Sequence, residues 1–139
     1  MRLLSTMALL SVAAFPSTHG VAAEGDIYRC IVKDFSNASD TGDEAFKKAN
    51  LEKIFTISEG ADAYQVEVTS RSFRPSASTY RIVARNLLQI SAIEEGDAGT
   101  FSAFTIATEV EPAEPLEATI VVQAPDIANA WFLVCTPAN

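Results

Sequence analysis

The sequence predicts an all-β fold: a single small antiparallel β-barrel or β-sandwich of about eight strands, with one short helix near residues 43–50. Three observations carry this. Short apolar runs recur at near-regular spacing between clusters of turn-forming residues, the pattern of sandwiches and barrels. Several runs alternate apolar with polar residues, the period of a strand with one wet face. Two cysteines, Cys30 and Cys135, stand near the two ends of the chain, each inside such a run.

The chain opens as an export signal. Met1-Arg2 precedes an apolar core of Leu3, Leu4, Met7, Ala8, Leu9, Leu10 and Val12, and Val21-Ala22-Ala23 supplies the small residues a signal peptidase needs. The stretch falls short of the ~20 apolar residues of a membrane helix and is interrupted at Pro16. Residues 1–23 are therefore expected to be a cleaved signal peptide and 24–139 one exported β-domain, periplasmic or, alternatively, secreted. No later stretch is apolar enough for a membrane span, and no cysteine follows the cleavage site to carry a lipid. Cleavage removes Arg2 and the one histidine, His19, leaving nine Lys and Arg against eighteen Asp and Glu, a charge of −9. Such a balance repels phosphate backbones and argues against nucleic acid as a partner.

In an oxidising compartment the two thiols are expected to pair. Pairing between chains, or two buried free thiols, are the alternatives. An internal bridge would close a loop of ~100 residues, worth ~4.7 kcal/mol in the chain-entropy picture, and would join the first strand to the last.

Taken in order, Ile27–Val32 is the first strand. Ser36 to Glu44 is polar and rich in turn formers. Asp40 or Thr41 can cap a helix over Glu44–Ala49, where Ala45, Phe46 and Ala49 share a face. Asp40, Asp43 and Glu44 lack the order of a calcium loop and read as solvated acids, so no metal site is assigned. Asn37-Ala38-Ser39 fits an N-glycosylation acceptor. Leu51–Ile57 is the next strand, Glu59–Asp62 a turn, and Tyr64–Thr69 the clearest alternation, with Tyr64, Val66 and Val68 inward. Phe73-Arg74-Pro75-Ser76 opens a loop, since proline removes a ladder donor. Tyr80–Ala84 and Leu87–Ile93 follow, turning at Arg85-Asn86. After a turn over Glu94–Thr100 come Phe101–Thr108, an acidic connection Glu109–Pro115, then Ala118–Gln123 and Ala130–Thr136. On the last strand Trp131 shares parity with Leu133 and Cys135 and is expected in the core. An outer-membrane barrel is disfavoured, because Gln65, Glu67, Thr69 and Arg81 would face lipid.

Much chemistry is excluded. Without histidine in the mature chain, no Ser–His–Asp or Cys–His arrangement forms, nor any imidazole zinc site. There is no C-x-x-C pair, phosphate-binding glycine loop or nucleophile elbow. Hydrolysis by paired carboxylates stays formally open, but no catalytic residue and no cofactor is assigned. The unusual local feature is charge sign. Between Glu67 and Glu94 there is no carboxylate and no lysine, yet Arg71, Arg74, Arg81 and Arg85 fall there. Guanidiniums suit bidentate capture of carboxylate or phosphate and stack on aromatics, here Phe73 and Tyr80. They form either a partner-binding patch or a wet strand face paired with neighbouring acids.

The Ser76-Ala77-Ser78-Thr79-Tyr80-Arg81 segment and the cysteine placement loosely resemble the small periplasmic inhibitors of C-type lysozyme. That resemblance implies a β-barrel closed by a disulfide, with Ser76, Ser78 and a nearby arginine entering a basic enzyme's cleft. The glycine and the Trp-rich segment of that family are absent here. The expected function is a non-enzymatic exported β-domain binding a protein partner in the envelope or outside the cell, through Arg71, Phe73, Arg74, Ser76, Ser78, Tyr80, Arg81 and Arg85. The alternative is a lipocalin-like carrier of a small apolar ligand, its interior lined by Tyr64, Val66, Val68, Ile82, Leu88, Ile90, Phe101 and Ile120. An acid-pair hydrolase is the second alternative.

Overall fold

The computed structural model describes residues 25–38, 43–96, 99–108 and 115–138. The expected signal segment, the Asp40 and Thr41 cap candidates, Ser39 of the glycosylation triplet and residues 109–114 of the acidic connection lie outside them. Eight antiparallel strands in sequence order close into one barrel: β1 (Ile27–Asn37), β2 (Ile54–Glu59), β3 (Ala63–Thr69), β4 (Ser76–Arg85), β5 (Gln89–Glu95), β6 (Phe101–Ala107), β7 (Leu116–Ala124) and β8 (Ile127–Pro137). The one described helix, α1 (Glu44–Leu51), links β1 to β2. No described helix is long and apolar enough to cross a membrane.

The seam is as the sequence predicts. β1 pairs with β8 antiparallel, Cys30 lies directly opposite Cys135, and the two form a disulfide with their Cα atoms 4.0 Å apart. Both cysteines are fully buried. The bridge thus ties the first and last strands from inside the barrel, and it fits an oxidising compartment.

Inward residues follow the period of two. Phe55 and Ile57 of β2, Tyr64 and Val66 of β3, Phe104 and Ile106 of β6, and Trp131 and Leu133 of β8 are all buried. Gln65, Glu67, Thr69 and Arg81 face outward. The barrel centre is filled by an aromatic stack: Tyr64 meets Phe104 at 5.1 Å between ring centroids, and Tyr80 meets the same ring at 5.7 Å.

Two bulges reset that period. The β1–β8 register shifts between Val32 and Asp34, which turns Phe35 inward. The β4–β5 register shifts between Ile82 and Ala84, and beyond it Arg85 reaches Glu59, its Nη1 3.0 Å from Oε1. The Glu59 side chain is 2% exposed. Glu59 is therefore the last residue of β2, not part of a turn, and its charge is matched by an arginine 26 residues away. A buried carboxylate stripped of its partner is costly. Arg85→Met is expected to lose about 2–3 kcal/mol in urea denaturation. A Glu59→Met, Arg85→Met pair should recover most of that loss.

Several boundaries differ from the sequence reading. The helix is capped by Asp43, whose carboxylate accepts from the Ala45 N–H at 2.9 Å, so this acid caps rather than merely solvates. The helix runs on to Leu51, and β2 begins at Ile54 instead of Leu51. Buried Asn50 fixes that end: its Nδ2 donates to the Phe46 carbonyl, and its Oδ1 accepts from Trp131 Nε1. β4 starts at Ser76, four residues before the expected Tyr80. Leu87 and Leu88 are not strand residues: Asn86 Oδ1 accepts from the N–H groups of Leu88 and Gln89, an Asx turn that leaves both leucines at the tip. Leu88 (75% exposed) and Phe101 (43% exposed) therefore do not line an interior. On β6 the inward set is Ser102, Phe104 and Ile106, which puts Phe101 outside.

Candidate functional site

The barrel has two ends, and they differ. At one lie the β2–β3 and β4–β5 turns with the Glu59–Arg85 pair. At the other lie α1, the β3–β4 loop and the β5–β6 connection. Here α1 covers the mouth from the β1 side through a chain of rings. Phe46 of the helix meets Phe35 at 5.9 Å and Phe73 at 6.3 Å, and Phe35 meets Trp131 at 5.4 Å. The Asn50–Trp131 hydrogen bond, 3.1 Å and buried, locks the helix onto β8.

What α1 leaves open is a cavity of about 330 Å³ at the barrel mouth. Its walls are of two kinds. Phe55, Val66, Val68, Ile120, Val122 and Trp131 make an apolar side. Ser76, Ser78, Tyr80, Thr100 and Ser102 bring hydroxyls, and Glu94 a carboxylate, to the side formed by β4, β5 and the approach to and start of β6. Phe73, Arg74 and Lys53 complete the lining. An eight-stranded barrel is just wide enough either to fill itself with side chains or to hold one small ligand. This one does the first at its centre and leaves room for the second at one end.

The electrostatics of the lining follow from burial. Burial pushes the Tyr80 phenol up to about 12, with a hydrogen bond to Ser102 pulling it back and the charge of Glu94 pushing it further. Tyr64 is raised further still, first by burial and then by Glu59. A phenol with an ordinary value of 10.0 that stays neutral in the fold contributes stability below that pH. As pH rises from about 10 to about 12, the unfolded chain gives up protons that the folded chain keeps, and stability falls. Alkaline titration by tyrosinate absorbance should show both phenols still protonated near pH 11, and urea midpoints should drop across that window.

The structure divides the sequence-predicted site. Phe73, Arg74, Ser76, Ser78 and Tyr80 come together in the cavity lining. Arg71 stands apart, in a shallow surface hollow with Glu52, Ile54, Thr69 and Ser70. Arg81 lies on the outer face of β4, and Arg85 is at the far end in its pair with Glu59. At ~3.3 Å per strand residue, β4 spans roughly 30 Å between Ser76, next to the Arg74 loop, and Arg85, so the four arginines do not make one patch. Among the described residues only Arg85 of the four pairs with an acid. The serines sit on a strand facing the cavity rather than on a projecting loop.

Sequence reasoning missed Lys53, Phe55, Glu94, Thr100, Ser102 and Val122 as lining residues, and took Trp131 for core alone. Trp131 serves both purposes, being 7% exposed and part of the cavity wall. The one signal available for the hydroxyl wall was the run of small polar residues at every second position, Ser76 and Ser78, on a strand with no apolar face until Tyr80.

Compared with known proteins, the chain matches no family model, no curated protein and no solved structure.

Proposed function

We propose that this protein is a non-enzymatic carrier or sensor that holds one small molecule in the helix-side mouth of its barrel. The observation that carries this reading is the two-sided cavity: an apolar wall ending at Trp131 facing a wall of hydroxyls from Ser76, Ser78, Tyr80, Thr100 and Ser102. Ligand sites are concave, mostly apolar and equipped with a few convergent polar groups. The volume of about 330 Å³ falls at the lower end of the usual range and suits a compact ligand. The buried disulfide and the N-terminal segment support an exported location, periplasmic in the first instance and secreted in the second. Native mass spectrometry of protein purified from an exporting cell is the test. A small-molecule adduct lost on denaturation is expected, and a clean apo mass counts against the carrier.

A second reading, contact with a protein partner, draws on a different place. Leu87 and Leu88, 91% and 75% exposed, are held at the β4–β5 tip by Asn86 and by Thr108, whose Oγ1 donates to the Leu87 carbonyl. Exposed apolar groups on a fixed turn suit a protein surface, and Arg81 stands exposed on the preceding strand β4. Leu87→Ser with Leu88→Ser should abolish a pull-down from envelope extract if this tip is the contact, and leave it intact if the cavity rim is.

A further inference from the structure

Two cations on the cavity lining lack a carboxylate partner among the described residues. Lys53, just ahead of β2, places its Nζ 4.4 Å from the Phe73 ring centroid and 4.6 Å from that of Trp131. Its ammonium is thus seated between two π-faces rather than against an acid. Arg74, in the β3–β4 loop, lines the same cavity. Most cations among the described residues form no ion pair, and what sets Lys53 and Arg74 apart is that both line one small hollow. The one acid among the described lining residues, Glu94, comes from β5, three strands round the barrel from β2. The described lining thus carries two cations and one acid, with Lys53 and Glu94 on well-separated strands.

Burial lowers the Lys53 pKa, which marks an ammonium that has given up part of its hydration. An anion within reach would replace what was lost. The Arg74 guanidinium on the same cavity adds directional donors suited to an oxyanion.

We propose that the ligand is an anionic amphiphile: one oxyanion headgroup held by Lys53 and Arg74, with its apolar body lying on Phe55, Val68, Ile120 and Trp131. This rests on the carrier reading and deepens it. The hydroxyl wall and Glu94 then face the remainder of the molecule and disfavour a second negative charge there.

The test uses two probes with the same ring system, 8-anilinonaphthalene-1-sulfonate and its uncharged counterpart N-phenyl-1-naphthylamine, followed by probe emission and by quenching of Trp131. The expected result is at least tenfold tighter binding of the sulfonate. Lys53→Met and Arg74→Met should each weaken the sulfonate about tenfold while changing the neutral probe less than twofold. Lys33→Met, on the outer face, should change neither. Equal affinities, or Met variants that lower both probes alike, overturn the headgroup site and leave the carrier reading standing. Failure of both probes to bind overturns both. Decanoate and decyl phosphate as competitors distinguish a carboxylate headgroup from a phosphate by which displaces the sulfonate at lower concentration. Decanol displacing it as well as either also overturns the proposal.

Discussion

A Cys30→Ala, Cys135→Ala double variant is expected to lose about 4–5 kcal/mol of unfolding free energy. Its melting temperature should fall by roughly 15–25 °C. The bridge spans a sequence separation of 105 and restrains nearly the whole barrel in the unfolded ensemble. The substitution also removes two sulfurs from fully buried positions, so packing is lost along with the restraint. Against a total of roughly 5–15 kcal/mol for a domain, the reduced protein should sit near the edge of folding. Urea denaturation of oxidised, reduced and double-variant protein checks this. A loss below ~1 kcal/mol would show that the barrel closes without its staple.

The second large effect belongs to Phe104, which is 0% exposed and carries both ring contacts of the central stack. Phe104→Ala should cost about 3–5 kcal/mol, since the rigid barrel wall cannot collapse into the space left behind. Phe104→Leu, which keeps most of the volume, should cost less than about 1.5 kcal/mol. The consequence for the site is distinct. Phe104 packs against Tyr80, and Tyr80 lines the cavity, so removing the ring deepens the hollow. The Ala variant should therefore bind N-phenyl-1-naphthylamine at least as well as the parent despite its lower stability. Weaker binding in a still-folded variant would mean that Tyr80 collapses inward and that the stack shapes the cavity floor.

The sequence showed the architecture where residues obeyed one rule at a time. β3 alternates without interruption from Tyr64 to Thr69, and β8 carries Trp131, Leu133 and Cys135 on one face, so their inward sets were legible. The cysteines named the seam because two thiols in a chain that opens like an export signal are expected to pair. The cavity was harder to see for the same reason that it exists. Ser76, Ser78 and Ser102 point inward without being apolar, so the hydrophobic period that marks a strand fades where the wall turns polar. That fading hid the first four residues of β4 and reversed the reading of Phe101. The bulges beyond Val32 and Ile82 flipped the parity of Phe35 and Arg85, a shift that no local pattern announces. Lys53 drew no notice because its environment, two rings from Phe73 and Trp131, is assembled from positions far apart in the chain. The arginines were conspicuous in sequence, yet Arg71 and Arg74 lie in the β3–β4 loop at one end of the barrel while β4 carries Arg81 and Arg85 towards the other.

The most direct measurement concerns Trp131, the chain's single tryptophan, whose indole N–H is held by Asn50 at the wall of the cavity. Its one indole cross-peak in a nitrogen–proton correlation spectrum reports on that wall alone. Titration with N-phenyl-1-naphthylamine should move the peak progressively and saturate at one probe per chain, with the disulfide intact throughout. A peak that stays fixed up to the solubility limit of the probe would contradict a barrel mouth built to hold a small molecule.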